Sequence, residues 1–423
     1  MGNTVTLALC GAGSRGAESY APHIKHSPHA VRFTAVAEPR DAWRERAIRE
    51  LGIPRENAFR SWEELAARPK LADGVLVTTQ DQLHAAPAQA FLRRGYHVLL
   101  EKPMATTEED CRAIIRAWRE TGRMLAVCHV MRYSRYAQTM KELLDSGLIG
   151  DIQFMHHIEP IGYWHFAHSY VRGNWRRLDA ASPMLLAKSC HDLDILRHWM
   201  GRRCLRVSSF GRLGHFRPEC APEGAAARCL DCPAAVESAC PYSAVKIYLR
   251  DFSGNDGWPN NILTLDTSPA GITAALRDGP YGRCVYACDN DVADHQSVNM
   301  EFDGGATASF TVGAFTASRP RETWIGGTRG ELRSTDMQQI LHTDFRSNAV
   351  RTIDASEQGD ASRATGHAGD MTVMLRFIDA IATDDPAALQ TTPDVSLESH
   401  LMAFAAERSR QNGTVEPICM GDK

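Results

Sequence analysis

No stretch of this 423-residue chain reaches the roughly 18–20 consecutive apolar residues that a membrane-spanning helix needs. Neither sign of charge predominates. Lys and Arg number 47 against 51 Asp and Glu, a formal net charge of −4, so there is no electrostatic reason to expect nucleic acid or an anionic membrane as partner. Met1-Gly2-Asn3-Thr4 lacks a basic n-region and runs straight into a strand-like segment, so no signal peptide is expected. Gly2 has no second membrane signal beside it, so myristoylation is not expected either. Internal repeats and long low-complexity linkers are also missing, and the Gly/Asp/Ser stretch around 355–370 reads as a loop. What remains is a composition 43% hydrophobic and 23% charged, which excludes a disordered or collagen-like chain. The length asks for two large domains. The expected location is the cytoplasm, where the twelve cysteines stay reduced.

The first 130 residues alternate strand and helix. β-rich apolar runs occupy Val5–Cys10, Val31–Ala37, Gly74–Thr78, His97–Leu100 and Met124–Val127. Helical stretches fill the intervals, running from the first turn to about His26, over Asp41–Leu51, from about Leu83 to Arg94, and over Thr107–Glu120 behind a Thr106 or Thr107 cap. That rhythm means a parallel sheet with helices on both faces. The first strand runs into Gly11-Ala12-Gly13-Ser14-Arg15-Gly16. A G-x-G-x-x-G between a strand and a helix binds a dinucleotide for physical reasons. Gly11 allows the tight turn, Gly13 lets a pyrophosphate approach the backbone, and Gly16 lets the helix pack close to the strand. The helix N-terminus then stabilises the phosphate charge. Glu38 follows the second strand and can accept from a ribose 2′-hydroxyl, which favours NAD over NADP, although Arg15 and Arg40 nearby pull the other way. Glu101-Lys102-Pro103 follows the fourth strand, at the carboxyl edge where such sheets bind ligands, so the Lys102 ammonium points at the cofactor crevice and can help move a hydroxyl proton. A cis Pro103 would set that turn.

These motifs, with Thr79-Gln80-Asp81-Gln82-Leu83-His84 after the third strand, resemble the Gfo/Idh/MocA oxidoreductases. Later segments agree: 141–152 resembles the link into the second domain, and 298–306 and 326–332 resemble its sheet. The resemblance implies an α/β fold: an N-terminal Rossmann domain over 1–130 and a C-terminal α/β domain over 131–423 with a large, mostly antiparallel open sheet. It implies NAD as cofactor, sugars, polyols and their derivatives as small-molecule substrates, and a homo-oligomer, dimer or tetramer, joined through the face of the second sheet. Carried over by residue, Lys102 matches the catalytic lysine, with Glu101 and Pro103 shaping its turn. Thr79, Asp81 and His84 match the nicotinamide side, and Arg132 a position near cofactor and substrate. Lys188-Ser189-Cys190-His191-Asp192-Leu193-Asp194 resembles the family's D-x-G-x-H-x-x-D helix, with His191 and Asp194 as its histidine and last aspartate. Three residues apart, they share a helix face, and an imidazole suits proton transfer from a hydroxyl. The pattern's first aspartate is replaced by Ala187 and its glycine by Ser189, with Lys188 alongside.

Between the link and that helix lies Tyr163–Arg177, dense in aromatic, His and Arg residues. Rings stack on sugar C–H faces and Arg forks bind anions, so His165, His168, Arg172, Trp175 and Arg176 are candidate substrate contacts, with an anionic sugar in view. His295 and His367 are weaker pocket candidates. Outside the family pattern, an insert at 215–242 carries Cys220, Cys229, Cys232 and Cys240 in a C-x8-C-x2-C-x7-C spacing. That spacing suits a structural Zn²⁺, with His215 a substitute ligand and an Fe–S cluster or free or disulfide-bonded thiols the alternatives. The other eight cysteines read as small buried residues. Helices over Gly369–Ala382 and Ser396–Gln411 close the chain. Three functions are consistent with these features: a sugar or polyol dehydrogenase, a redox-neutral glycoside hydrolase on the same scaffold, and a non-enzymatic NAD or sugar sensor.

Overall fold

The computed structural model describes residues 4–357 and 369–421, so His367 lies outside the described residues. Six parallel strands form the first sheet: β1 (Val5–Cys10), β2 (Val31–Ala37), β3 (Ala58–Phe59), β4 (Gly74–Val77), β5 (His97–Leu100) and β6 (Leu125–Val127), ordered β3-β2-β1-β4-β5-β6. The order turns back beside β1, so the crevice beyond its carboxyl end lies at a topological switch point. Successive side chains of β1 enter two different cores. Ala8 and Cys10 pack with Phe91, Leu92 and Ile114, while Leu7 and Leu9 pack with Met374, Phe377 and Ile378. Burial on both faces explains the unbroken apolar runs in the sequence. The helix Asp370–Thr383, far along the chain, thus completes a layer of the first sheet.

The helix Glu108–Thr121 begins where the Thr107 side chain accepts from the Asp110 amide and ends at Gly122 in the left-handed region. The segment after Gly13 departs from the expected single α-helix. It forms a π-type turn over Ser14–Tyr20 and a 3₁₀ turn over Ala21–His26. Pro22, with no amide hydrogen, interrupts the α ladder between them.

The second sheet has nine strands: β7 (Ile152–Pro160), β8 (Cys204–Arg212), β9 (His295–Phe302), β10 (Thr307–Gly313), β11 (Glu322–Gly327), β12 (Gly330–Ser334), β13 (Gln339–Asp344), β14 (Ala349–Asp354) and β15 (Glu416–Pro417). Their order is β14-β13-β12-β11-β7-β10-β9-β8-β15, antiparallel throughout except for the β7–β10 pair. One face is covered by the helices Met184–Met200 and Pro393–Asn412 and buries Met155, Phe310 and Ile325. The other face leaves Ile158, Phe210, Trp324 and Leu341 exposed. Among the described residues no helix is long and apolar enough to cross a membrane.

Candidate active site

The glycine loop has the shape its motif requires. Gly11 sits at φ +92°, and a Cβ there would fall 2.7 Å from the Thr78 carbonyl oxygen. A Cβ on Gly16 would fall 2.4 Å from the Gly11 carbonyl oxygen. One on Gly13 would meet only Arg40 Nη2, at 3.6 Å, which leaves the open backbone that a pyrophosphate needs. Ser14 opens the following turn, half-buried. Glu38 is buried at the end of β2, where it accepts from the Ala12 amide (2.9 Å) and from Arg40 (2.7 and 3.0 Å). Burial pushes its carboxyl up, but the Arg40 and Ala12 bonds outweigh burial and hold it below the usual carboxylate value. These groups fit a dinucleotide with a free 2′-hydroxyl. Glu38→Ala is expected to weaken NAD binding by about 10–100-fold, one charge-assisted hydrogen bond, and to narrow discrimination against NADP. Fluorescence titration with both cofactors measures this, and unchanged discrimination would remove Glu38 from the ribose site. Arg15, expected beside the cofactor, is engaged elsewhere. Its guanidinium is taken up by Glu101 (2.5 Å) and by both oxygens of Asp370 (2.8 and 3.0 Å).

Lys102 stands in a turn with a cis peptide before Pro103, as expected. Its Nζ donates to the Ala187 carbonyl at 2.6 Å, so the β5 turn meets the helix Met184–Met200 across the crevice. His84 clasps the same turn, with Nδ1 2.7 Å from the Pro103 carbonyl and Nε2 3.1 Å from the Thr79 carbonyl. The Thr79 hydroxyl donates to the Leu83 carbonyl, 3.0 Å away. Asp81 is buried, and both its oxygens accept from Trp175 Nε1 at 3.1 Å. Burial pushes the Asp81 carboxyl up, against the pull of His84 and Lys102.

The helix Met184–Met200 carries the rest of the site. Asp194 accepts both arms of Arg132 (2.6 and 2.8 Å) in a buried pair. Asp194, expected among the catalytic residues, thus holds Arg132 in place. His191 meets the edge of His129 at 5.8 Å between ring centroids, and His129 meets His400 at 5.5 Å. His400 accepts from the Met104 amide at 2.7 Å and lies 2.7 Å from the Ser396 carbonyl, which places its proton on Nδ1. Lys188 Nζ lies 3.2 Å from Glu159, and Arg321 bridges Glu159 (2.8 Å) to Asp192 (2.5 Å), which is also 3.2 Å from His157. Burial lowers the Lys188 ammonium below its ordinary value despite Glu159. Lys102 thus meets this helix at the Ala187 backbone, and the two carboxylates beside Lys188, Glu159 and Asp192, are both held by Arg321.

Burial depresses several imidazoles: His129 to about 4, His198 to about 4, His168 to about 3 and His400 to about 3. In the unfolded chain each binds its proton near 6.5. Between pH 6.5 and about 4 the unfolded state therefore binds more protons, and stability falls as pH falls. Each such histidine contributes a slope of about 1.4 kcal/mol per pH unit in that window. Calorimetry from pH 7 to pH 4 should show the melting temperature dropping steeply, and a flat profile would mean these rings are solvated.

The segment expected to read substrate is largely internal, and three expectations need correction. Arg172 is fully buried and donates to the carbonyls of Arg283 and Tyr242, both at 2.7 Å. His168 bonds the Tyr248 hydroxyl at 2.8 Å and stacks on Tyr281. Arg176 pairs with Asp289 at 2.9 Å. Their polar groups meet segments 242–289, which no local pattern places against them. Trp175, on Asp81, does reach the crevice, and His165 packs on Trp258, whose ring centroid is 4.9 Å away. His295 is exposed and pairs with Asp294 at 2.7 Å.

The expected Zn²⁺ set of Cys220, Cys229, Cys232 and Cys240 is not assembled. Among the described residues no three His, Cys, Asp or Glu side chains stand in metal-holding geometry. Cys220 is turned to the Gly214 carbonyl at 3.6 Å and lies off the cavity that the other three line. His215 is engaged by the Tyr286 hydroxyl at 3.1 Å. Spacing alone could not show which sulfurs converge. Sequence reasoning also missed Glu159, Arg321, Asp370 and His129, whose only local signal was that they are polar.

A glycine-rich switch-point crevice, a buried carboxylate at the end of β2 and a lysine facing a histidine-bearing helix define the class of nicotinamide-dependent oxidoreductases. The chain belongs to the Gfo/Idh/MocA family within it: residues 5–129 match the family's NAD-binding Rossmann fold and residues 141–420 its C-terminal α/β domain. It is 30% identical over 200 residues to a 1-carboxy-3-chloro-3,4-dihydroxycyclohexa-1,5-diene dehydrogenase of Comamonas testosteroni, covering 47% of this chain and 48% of that one. It is 27% identical over 215 residues to the 2,7-anhydro-N-acetylneuraminate hydratase of Escherichia coli, covering 51% and 55%. The chain thus spans about half the length of these curated relatives. An oxidoreductase from Agrobacterium radiobacter, solved with NAD⁺, L-tartaric acid and magnesium, shares the fold at a TM-score of 0.70 and 17% identity, with 98% of each chain covered.

Proposed function

We propose that this protein is an NAD-dependent oxidoreductase acting on a hydroxyl of a sugar or sugar derivative. The observation that carries the reading is the 2.6 Å contact from Lys102 Nζ to the Ala187 carbonyl, which brings the lysine beside the helix that bears His191. When bound, NAD supplies the hydride acceptor. Lys102 and His191 take the hydroxyl proton, Glu101 and His84 hold the Lys102 turn, and Asp194 fixes Arg132. Trp175 and Asp81 close the nicotinamide side.

One observation favours a second reading, redox-neutral hydration or glycoside hydrolysis. Ala187 leaves the helix without its expected carboxylate, and Lys188 stands beside it with a depressed proton affinity. A relative named as a 2,7-anhydro-N-acetylneuraminate hydratase fits this chemistry. Spectra from 300 to 450 nm of protein, NAD and a panel of free sugars and nitrophenyl glycosides, neutral and anionic, separate the two. Absorbance rising near 340 nm without nitrophenolate supports the dehydrogenase. Nitrophenolate release that requires NAD but accumulates no NADH supports the second reading and overturns the first. NAD binding with no turnover on any member of the panel would favour the sensor.

The assembly is a homo-oligomer in this reading. Ile158, Phe210, Trp324 and Leu341 leave the uncovered face of the second sheet partly apolar, as a face buried by another copy would be. Light scattering should give a multiple of 46.7 kDa, reduced by Trp324→Asp with Leu341→Asp. A wild-type mass of one chain removes the proposal.

A further inference from the structure

The insert around 215–290 holds a feature that the active site does not use. Cys229, Cys232, Cys240 and Cys284 line one small cavity with about 20 Å³ of free space, enough for a single atom-sized guest. Cys229 and Cys232 flank a 3₁₀ turn, and Cys240 caps the helix Ala234–Ala239. Cys284 comes from a separate segment. An antiparallel bridge between Arg228 and Arg283 and the Cys284 amide bond to Ala227 (2.9 Å) pin it against the others.

Arg172 binds all three cysteine-bearing segments at once. Its Nη2 reaches Cys229 Sγ (3.5 Å) and the Tyr242 carbonyl, and its Nε reaches the Arg283 carbonyl. Among the described residues it has no carboxylate partner, its Nη1 has no hydrogen-bond partner, and the side chain is wholly buried. A guanidinium buried without a counter-charge is strongly disfavoured, so this cavity calls for negative charge. Glu237 also lines the cavity but is paired with Arg250, so the thiols are the groups left to provide it.

We propose that Cys229, Cys232, Cys240 and Cys284 form a structural site for one soft divalent cation of the zinc class, with Arg172 as its outer-shell counter-charge. Four thiols lose their protons to solvent on binding. The four thiolates and the cation leave a net charge of −2, which Arg172 partly offsets. Because no three of these sulfurs stand in metal-holding geometry among the described residues, binding requires their side chains to rotate toward one another, about a backbone that Arg172 ties together. Cys220, the fourth ligand by spacing, takes no part. The cation does no chemistry. It braces the arm whose Asn261 reaches Glu18 of the first domain at 2.8 Å.

The test uses the full-length protein purified without chelator. Metal content by mass spectrometry should be about one zinc per chain, kept in Cys220→Ser and lost in Cys284→Ser. Cobalt substitution of the wild type should give the visible bands of a tetrahedral tetrathiolate, a readout that does not depend on any variant folding. Less than about a tenth of an equivalent of metal, with no such bands on adding cobalt, overturns the site. Metal kept by a folded Cys284→Ser protein and lost by Cys220→Ser overturns the ligand set. If Cys284→Ser does not fold, the count of thiols released from the wild type by a mercurial decides, four released with the metal supporting the site and fewer overturning it.

Discussion

Lys102→Met is expected to lower kcat by about 10²–10⁴-fold, the range for removing a group that moves a proton in the transition state. The structure gives the substitution a clean reading. Lys102 Nζ makes a hydrogen bond to the backbone carbonyl of Ala187, and the turn around it is held independently by His84 on Pro103 and by Glu101 on Arg15. Methionine keeps the length and apolar stem, so the turn should persist and NADH affinity should change by less than about threefold, under the 1.4 kcal/mol that makes a factor of ten. Lys102→Arg restores the charge but holds its proton at every accessible pH, so it should rescue binding of an anionic substrate and not kcat. Steady-state rates at 340 nm with a fluorescence titration of NADH separate these effects. A Lys102→Met enzyme that keeps more than a tenth of wild-type kcat would exclude Lys102 from the proton transfer.

The second large effect is on stability. Arg132→Met leaves Asp194 buried without its two donors, at 2.6 and 2.8 Å in the native pair. Breaking a buried pair from one side typically costs about 3–5 kcal/mol, because an uncompensated charge remains. In a protein of this size that lowers the melting temperature by roughly 3–6 °C. Arg132→Met with Asp194→Asn removes the charge as well and should recover part of the loss. If the double variant melts no higher than the single one, the coupling inferred from the geometry is absent. The pair sits between the turn after β6 and the His191 helix, so its loss should also displace His191 and reduce kcat.

The glycine loop, Glu38, Lys102 and His191 were legible because each lies at a fixed offset from a strand end or along a helix, where local backbone geometry decides where a side chain points. The two cores of β1 follow equally from two-residue alternation. Partner choice was not legible. Arg15 sits inside the phosphate-loop motif, yet it is claimed by Asp370, 355 residues away. Arg172 and Arg176 look like anion receptors in sequence, yet they donate inward, Arg172 to carbonyls and to Cys229 and Arg176 to the Asp289 carboxylate. The cysteine spacing pointed to Cys220, whereas the cavity takes Cys284, held by a strand bridge no spacing encodes. Local pattern was thus enough for the class of fold, the glycine loop of the crevice and the places of Lys102 and His191, whereas long-range packing settles which buried charges are neutralised internally and which remain for a ligand. A buried charge requires a partner, and its identity depends on which distant segments the packed sheets and helices bring within 3 Å or so of it.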